Sequence, residues 1–398
     1  MTVAAVKPME FWELRESIRA EQAQVEQLYA RSGRLIRGGS RSPMYMQRLA
    51  EATDFLAGIY EGRIPAHRLQ EAMSTSDFPL LMGDILDRQL LANYREWPAV
   101  WRAFARQGTV RDFRQARRIA MDGLEGGYYP DYLKPEQTAV KQSDDLAETG
   151  YLTQVQVYEK AFGINWRMLI NDDLDAFRDL PARLARGARR TESRFATQLY
   201  VDANGPHASL YTAGNANIVT GNPALSITGL QTAMQVLAAM VDANGEPIFI
   251  DVVVLVVPPA LEITAQNIIN ATEITIDPNA AAGTAQQQLK AQNWMRNRVR
   301  LVVDPYIPIV ATAANGNTSW FLFADPNVGR PALEVTFLRG YEEPALFQKA
   351  PNTQRVGGGL EPALGDFDSN EIRYKGMHII GGTRLDPKAS VASNGSGA

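Results

Sequence analysis

The sequence has no cysteine and only three histidines, which are His67, His207 and His378. Without cysteine, the chain can form no disulfide, zinc ribbon, iron–sulfur cluster, P450-type haem site or thiol nucleophile. Three histidines scattered over 398 residues also leave little for a histidine-rich metal site or a histidine general base. We therefore expect a protein that is not an enzyme and has no catalytic residues, no cofactor and no metal.

The sequence also lacks a large net charge and a long apolar run. It has 40 basic and 44 acidic residues and a formal net charge of −4, so no overall positive charge is available to hold nucleic acid. The most apolar stretch, residues 248–257, is about half as long as a membrane span and contains Asp251. The first residues, MTVAAVKPMEFWELRES, reach charged and aromatic side chains too early for a signal peptide. We expect no membrane contact.

Sequence patterns predict four helical stretches near the N-terminus. Residues 10–29 carry apolar side chains mostly three, four or seven positions apart, which gives one stripe on an amphipathic helix. After a glycine-rich break, a second helix is predicted from Met46 to near Gly62, a short helical stretch contains His67, and a further helix runs from Leu80 to Ala92. A helical hairpin of this kind has little core of its own, so residues 1–75 are expected to need a partner surface.

Residues 116–164 have the pattern of a long β-hairpin. The flanks, 117–121 and 151–164, alternate as strands do, and the turn-rich segment between them has no apolar face. Such a hairpin projects from the body and is not stable by itself. Lys134 and Lys141 lie near its tip as exposed amines.

The pair Asp172-Asp173 is expected to begin a well-marked helix that runs to Val201, with acidic residues suited to a helix N-terminus. Its predicted buried face recurs every three or four positions and consists of Leu180, Leu184, Gly187, Thr191, Phe195 and Leu199. A second stripe of the same period consists of Arg183, Arg186, Arg190 and Arg194.

After residue 225, helices alternate with strands. Helices are predicted over 226–244, 259–271 and 284–297, and strands over 251–257, 299–303, 320–323, 333–338, 345–349 and 371–380. The strand 251–257 has the continuous β-branched run of a strand buried on both faces. The last residues, SVASNGSGA, are small and polar and are expected to be mobile. The interleaving predicts an irregular α+β fold rather than a barrel.

Two arginine clusters are the candidate binding residues. One is the basic run Arg102, Arg106, Arg111, Arg114, Arg117 and Arg118, and the other is the helical stripe named above. Guanidinium groups pair with carboxylates of a neighbouring chain or bind the phosphates of nucleic acid, and either cluster can also be a solvated surface. We predict contacts between subunits, and the other two uses stay open.

Four blocks, taken in order, resemble the major capsid protein of tailed bacteriophages, in particular the Mu-like head subunits. The first is FGINWRMLINDDLDAF at 162–177, which continues into LPARLARGARR at 180–190. The others are LVVPPALE at 255–262, NWMRNRVRLVVDP at 293–305 with WFLFADP at 320–326, and GDFDSNEIRYKG at 365–376. Together they span most of residues 76–386.

The resemblance implies the tailed-phage major capsid fold, an α+β fold. Its parts would be an N-terminal helical extension (1–75), an N-terminal arm (76–115), an extended hairpin loop (116–164), a peripheral domain with a long spine helix (165–224), an axial domain (225–330), closing strands (331–388) and a flexible tail (389–398). Residues 1–75 depart from the resemblance and would be either a cleaved scaffolding segment or a permanent arm.

The resemblance also implies a function. The chain would assemble in the host cytoplasm into hexamers and pentamers that form an icosahedral virion shell around double-stranded DNA, which it contacts non-specifically. Scaffolding, portal and decoration proteins would be further partners. Some members of the family cross-link a hairpin lysine to an asparagine of a neighbour with the help of a glutamate, and here Lys134 or Lys141 would be the amine and Asn352 the acceptor.

Two alternatives stay open. A bacterial encapsulin is a shell of the same fold that holds cargo enzymes in place of DNA. A nucleic-acid-binding protein would instead use the two arginine clusters to bind phosphates.

Overall fold

The computed structural model describes residues 11–32, 43–65, 68, 72, 78–122, 147–165, 167, 180–241, 248, 252–276, 289–327, 330–349, 352–354, 356–358 and 365–397. His67 and the pair Asp172-Asp173 lie outside these residues. The chain divides into two compact units. The first unit contains Met1–Pro98, Val157–Thr191 and Gly340–Ile379, and the second contains Ala99–Gln156, Glu192–Arg339 and Ile380–Ala398.

Helices and strands are interleaved along the described residues, as the predicted α+β organisation requires. The helices are α1 Phe11–Ser32, α2 Pro43–Tyr60, α3 Phe78–Glu96, α4 Leu180–Tyr200, α5 Ile227–Ala238, α6 Glu262–Asn270 and α7 Ile307–Val310. The strands are β1 Arg106–Val110, β2 Ala116–Asp122, β3 Ala147–Thr153, β4 Val155–Asn165, β5 Val201–Asp202, β6 Gly205–Pro206, β7 Val253–Val257, β8 Glu273–Ile276, β9 Leu289–Gln292, β10 Val299–Val303, β11 Trp320–Ala324, β12 Leu333–Leu338, β13 Ala345–Gln348, β14 Glu371–Arg384 and β15 Ser390–Ser393.

The N-terminal helices share the core of the first unit. Ile18 of α1 and Met46 and Leu49 of α2 are fully buried, and they pack with residues of α3, β4 and β14. Ion pairs add to this packing, since Arg15 and Arg19 both reach the carboxylate of Asp54, at 2.6 and 2.8 Å. The surface that this helical hairpin was expected to need is therefore supplied by other elements of its own chain.

Strands of the first unit border this core. β13 runs antiparallel to β14, with Ala345 opposite Met377 and Gln348 opposite Tyr374. β4 also pairs with β14, and the ring of Phe162 stacks on that of Tyr374 at 5.5 Å between centroids.

The second unit is built on two sets of paired strands. β1 runs parallel to β12, and β12 runs antiparallel to residues 380–384 of β14. The other set has the order β10-β7-β11-β15. Alternate residues of β7 enter different apolar clusters, with Val254 and Val256 on one side and Val253, Leu255 and Val257 on the other. The predicted strand buried on both faces is thus confirmed.

The C-terminal tail contributes a strand to a sheet, which corrects the prediction of a flexible segment at 389–398. Ser390–Ser393 forms β15, which pairs antiparallel with the aromatic strand β11. All four residues are buried, and Ser393 Oγ donates to the Pro223 carbonyl at 2.8 Å. Small side chains suit this place because bulky neighbours such as Trp320 and Phe321 already fill the two faces.

The predicted helix over 284–297 is also wrong where the structure describes it. Leu289–Gln292 is strand β9, which pairs with β8, and Trp294–Asn297 is a short 3-10 helix. The alanine and glutamine in this stretch favour a helix. Pairing with β8 overrides that propensity.

Arg384 holds the C-terminal end of α4. Its Nε donates to the Leu199 carbonyl at 2.6 Å, and one Nη lies 3.4 Å from the Gln198 carbonyl oxygen. A cation at this end of a helix also interacts favourably with the helix dipole. The same guanidinium lies 2.6 Å from Nε2 of His207. Because a guanidinium has only donors, this imidazole nitrogen is the acceptor and carries no proton.

This contact predicts a pH dependence. Burial and the Arg384 cation lower the pKa of His207, against a smaller opposite effect of Asp202. Since the ordinary pKa is about 6.5, the unfolded chain binds this proton first as the pH falls. Stability is then complete above about pH 6.5 and is lost as the pH falls through the folded-state pKa. Between pH 7.5 and 5.5, the free energy of unfolding measured with urea should fall more for the wild type than for His207→Gln. Equal losses would contradict this assignment.

Candidate assembly surfaces

The described residues include the base of the predicted hairpin. β2 and β3 pair antiparallel, from Ala116 opposite Thr153 to Asp122 opposite Ala147. The strands end at Thr153, and β4 pairs with β14 instead, so the predicted range 116–164 joins two separate elements. Gln154 marks the break, since its side-chain amide donates to the Phe113 carbonyl at 3.0 Å. Lys134 and Lys141 lie outside the described residues.

The two faces of this hairpin base differ. Thr153 is buried, and its Oγ1 lies 3.0 Å from Oγ1 of Thr336 in β12. Ile119 and Leu152 share the opposite face and are 54% and 58% exposed. Side chains of this size are normally found in a core. The hairpin base thus presents an apolar face that the described part of the chain does not cover.

A buried carboxylate joins the hairpin to the sheet of the second unit. Glu334, the second residue of β12, is only 1% exposed. Arg106 of β1 donates to its Oε2 through Nε at 3.0 Å, and Arg118 of β2 donates to its Oε1 at 2.7 Å. Gly108 leaves the space for the carboxylate, because a Cβ there would lie 2.4 Å from Oε1. These charge-assisted hydrogen bonds offset the cost of burying the charge.

The arginines of the basic run therefore differ in their contacts. Arg106 and Arg118 are engaged within their own chain, and sequence analysis missed their partner, Glu334. The only signal is a lone acidic residue inside the apolar run LEVTFL. The other four, Arg102, Arg111, Arg114 and Arg117, are exposed, and the guanidinium of Arg102 lies 5.5 Å from the centre of the Trp101 ring. For these four, contact between subunits stays a prediction.

The buried face of α4 is displaced by about one residue position from the predicted face. In the first unit its buried residues are Pro181, Ala185 and Arg189, whereas Leu184 is half-buried and Gly187 is exposed. Arg189 is satisfied by Tyr94, because its Nε donates to the Tyr94 carbonyl at 2.9 Å and its guanidinium lies 3.6 Å from the ring centre. Small alanine side chains allow the close approach on this face.

The second unit continues the same pattern. There α4 buries Glu192, Ala196, Thr197 and Tyr200, and Leu199 of the predicted face is buried as well. Glu192 accepts a hydrogen bond from Trp101 Nε1 at 3.1 Å. Sequence periodicity assigns a glutamate to the solvent, and here an indole nitrogen distant in the sequence makes its burial possible.

The predicted arginine stripe of α4 lies on another side of the helix. Arg183, Arg190 and Arg194 are exposed, and Arg186 is half-buried. The guanidinium of Arg186 lies 5.9 Å from the centre of the Trp97 ring. The stripe is thus an accessible basic surface in the described part of the chain.

Asn352 is held by a carboxylate that sequence analysis did not identify. Its Nδ2 donates to Asp366 Oδ1 at 2.7 Å, and its Oδ1 accepts the backbone N–H of Phe367 at 2.7 Å. Lys349 Nζ lies 2.9 Å from the same Asp366 oxygen. The hydrogen bonds from Lys349 and Asn352 lower the pKa of Asp366. The Asn352 amide is thus oriented, with an ionised carboxylate beside its nitrogen.

Removal of the buried charge tests the role of Glu334. Glu334→Gln should lower the free energy of unfolding by about 2–3 kcal/mol, because two guanidinium groups lose a charged acceptor. Amide exchange should accelerate in β1 and β2. In Arg102→Gln, which removes a cation from the same run but no such contact, both should stay near wild type. A Glu334→Gln protein as stable as the wild type would contradict this role.

The described residues contain neither a candidate membrane span nor a candidate metal site. No helix there is long and apolar enough to cross a membrane. No group of three or more histidine, aspartate or glutamate side chains among them is placed to hold a metal ion.

The chain is similar to several solved structures at low sequence identity. A virus-like particle from Pyrococcus furiosus is 10% identical, with a TM-score of 0.42 over 77% of this chain and 97% of that one. A chain from Gordonia phage Cozz is 12% identical, with a TM-score of 0.41 and coverages of 74% and 85%. The SrpI encapsulin from Synechococcus elongatus PCC 7942 is 13% identical, with a TM-score of 0.39 and coverages of 73% and 85%.

A family model gives the decisive comparison. No curated protein matches the sequence, but the model described as phage capsid protein matches residues 148–393. This range covers well over half of the chain and contains all four blocks that carry the resemblance. The Mu-like subgroup stays a prediction. The chain belongs to the phage capsid protein family.

Proposed function

We propose that this chain is the major head subunit of a tailed phage and assembles with copies of itself into hexamers and pentamers that close into an icosahedral shell around double-stranded DNA. The exposed apolar face of the hairpin, formed by Ile119 and Leu152, carries this proposal. A face of this kind becomes stable when a neighbouring subunit covers it. The function of the subunit is then to bind copies of itself and not to catalyse a reaction.

The hairpin is suited to this task because it is anchored at its base. Glu334 holds both β1 and β2 through arginine, so a neighbour that covers Ile119 and Leu152 meets a hairpin whose direction is already fixed. Preorganisation of this kind lowers the entropy cost of each contact. Many modest contacts around closed rings then give a stable shell.

The proposal assigns each segment of the chain to a part of the capsid subunit. We assign 76–115 to an arm, 116–153 to the hairpin loop, α4 to the spine helix and 225–330 to most of an axial domain. Both α4 and β14 contribute residues to each compact unit, so the predicted peripheral segments 165–224 and 331–388 belong to neither unit alone.

Partners and location follow from the same assignment. The subunit would be a virion component assembled in the host cytoplasm, with scaffolding, portal and decoration proteins as further partners. A net charge of −4 suits non-specific contact with packaged DNA, because a strongly basic wall would hold the DNA through counterion release.

Hairpin variants test assembly. Wild-type protein should form closed shells of regular diameter in electron micrographs. The double variant Ile119→Glu, Leu152→Glu should stay as small soluble species with an unchanged melting temperature, because it places charge on the face that a neighbour covers. Val356→Glu, which changes another fully exposed apolar side chain, should still assemble.

Two outcomes would refute the proposal. One is wild-type protein that stays monomeric under all conditions and binds DNA in a salt-sensitive way, which would favour the nucleic-acid-binding alternative. The other is normal shells from the double variant. Particles filled with protein cargo in place of DNA would favour the encapsulin alternative.

We also propose the cross-link between a hairpin lysine and Asn352. The neutral amine of Lys134 or Lys141 would attack the Asn352 amide carbon, form a new amide bond and release ammonia, with the lysine proton passing to the leaving nitrogen. The carboxylate of Asp366, 2.7 Å from that nitrogen, can relay the proton. It would take the place of the glutamate used by other members of the family.

Boiling particles in detergent tests the cross-link. Wild-type particles should give a ladder of covalent multimers, and the variant Lys134→Arg, Lys141→Arg should give a single subunit-sized band while it keeps its charge and its shells. A single band from wild-type particles would end the hypothesis.

A further inference from the structure

A cavity of about 500 Å³ lies within the first unit, between β4 and the first half of α4. Leu90, Phe162, Leu180 and Leu184 supply apolar lining. Gly187 has no side chain to fill the α4 side of the cavity, and a Cβ atom placed there would have no other atom within 4 Å. A volume of this size is typical of sites that bind a ligand.

One wall of the cavity is a strand with an open edge. β4 pairs with β14, and no other strand in the described ranges pairs with it. Its residues 156–161 are exposed, and Tyr158–Phe162 line the cavity. Unpaired N–H and C=O groups of an edge strand bind an extended chain by adding it as another strand. The occupant that this wall fits is therefore a polypeptide in extended conformation.

The charges of the lining favour an acidic occupant. Lys160 and Arg183 both line the cavity. The single carboxylate of the lining, Glu159, is already paired with Lys375 at 2.7 Å. At 100° per residue, Arg190 lies about 60° round the helix from Gly187, on the side away from the buried Ala185. Of the predicted arginine stripe, Arg183 therefore lines the cavity and Arg190 borders it, and these two form a positive rim.

We propose that this groove binds an extended acidic segment of a partner polypeptide, with apolar side chains at alternate positions. Its backbone would pair with β4, its apolar side chains would enter the space over Gly187, and its carboxylates would meet Lys160 and Arg183. Nucleic acid fits less well, because peptide groups match the open strand edge and because Phe162 already stacks on Tyr374. The site lies within one unit of one chain and does not depend on shell assembly.

A designed peptide probes the groove. The probe is a fluorescein-labelled peptide of 11 residues, the length of β4, in which valine alternates with glutamate. Fluorescence anisotropy with the full chain, kept unassembled by the hairpin double variant, should show saturable binding that weakens with salt. A peptide with lysine in place of glutamate, and one with the same composition in two blocks, should bind at least tenfold more weakly.

Variants of the groove separate its parts. Gly187→Leu fills the space and should weaken binding at least tenfold, whereas Gly187→Ala should change it less than threefold. Lys160→Glu with Arg183→Glu should also weaken binding at least tenfold and reduce its salt dependence. Arg194→Glu is the matched control, because this arginine is on the same helix and does not line the cavity. Melting temperatures confirm that each variant is folded.

Several results would overturn the inference. They are no saturable binding of the alternating peptide, equal binding by folded Gly187→Leu protein, and equal displacement of the peptide by a short oligothymidine. Self-association that Gly187→Leu abolishes would show that a second copy of the chain, and not a partner polypeptide, occupies the groove.

Discussion

A carboxylate buried in an apolar strand has to be paired, and in the second unit this constraint fixes the position of the hairpin. Glu334 is 1% exposed and accepts hydrogen bonds from Arg106 and Arg118 on two different strands. Removal of either arginine would leave the buried carboxylate with a single guanidinium partner in a site of low polarity. The hairpin base therefore cannot rotate freely about its connection, and its apolar outer face has a defined direction.

The same constraint explains why arginines in one sequence run have different uses. A run of basic residues suggests a single basic surface. Two of these arginines pair with the buried carboxylate, however, and do not contribute to that surface. Arg189 on α4 is a second example, since the Tyr94 carbonyl and ring satisfy it inside the first unit. What stays accessible is a smaller basic surface than the residue count suggests.

Much of the fold could be predicted from the sequence, because continuous apolar or alternating runs mark strands such as 299–303 and 333–338 without reference to the rest of the chain. The polar tail could not be predicted in this way. Ser390–Ser393 is buried only because β11 is aromatic and fills the space on both faces. The candidate site divides likewise: the arginines were visible in the sequence, whereas Glu334 and Asp366 acquire their roles from partners that only folding brings near.

The spine helix α4 shows how one element can serve several purposes. In its first half, one side buries Pro181, Ala185 and Arg189. Another side lines the cavity and carries exposed arginines, which a period of 3.6 residues allows on one helix. A chain with a net charge of −4 can still present such a local positive rim, because the Debye length is about 8 Å at physiological salt. The rim therefore acts on a segment seated in the groove, and not on a long polyanion held at a distance.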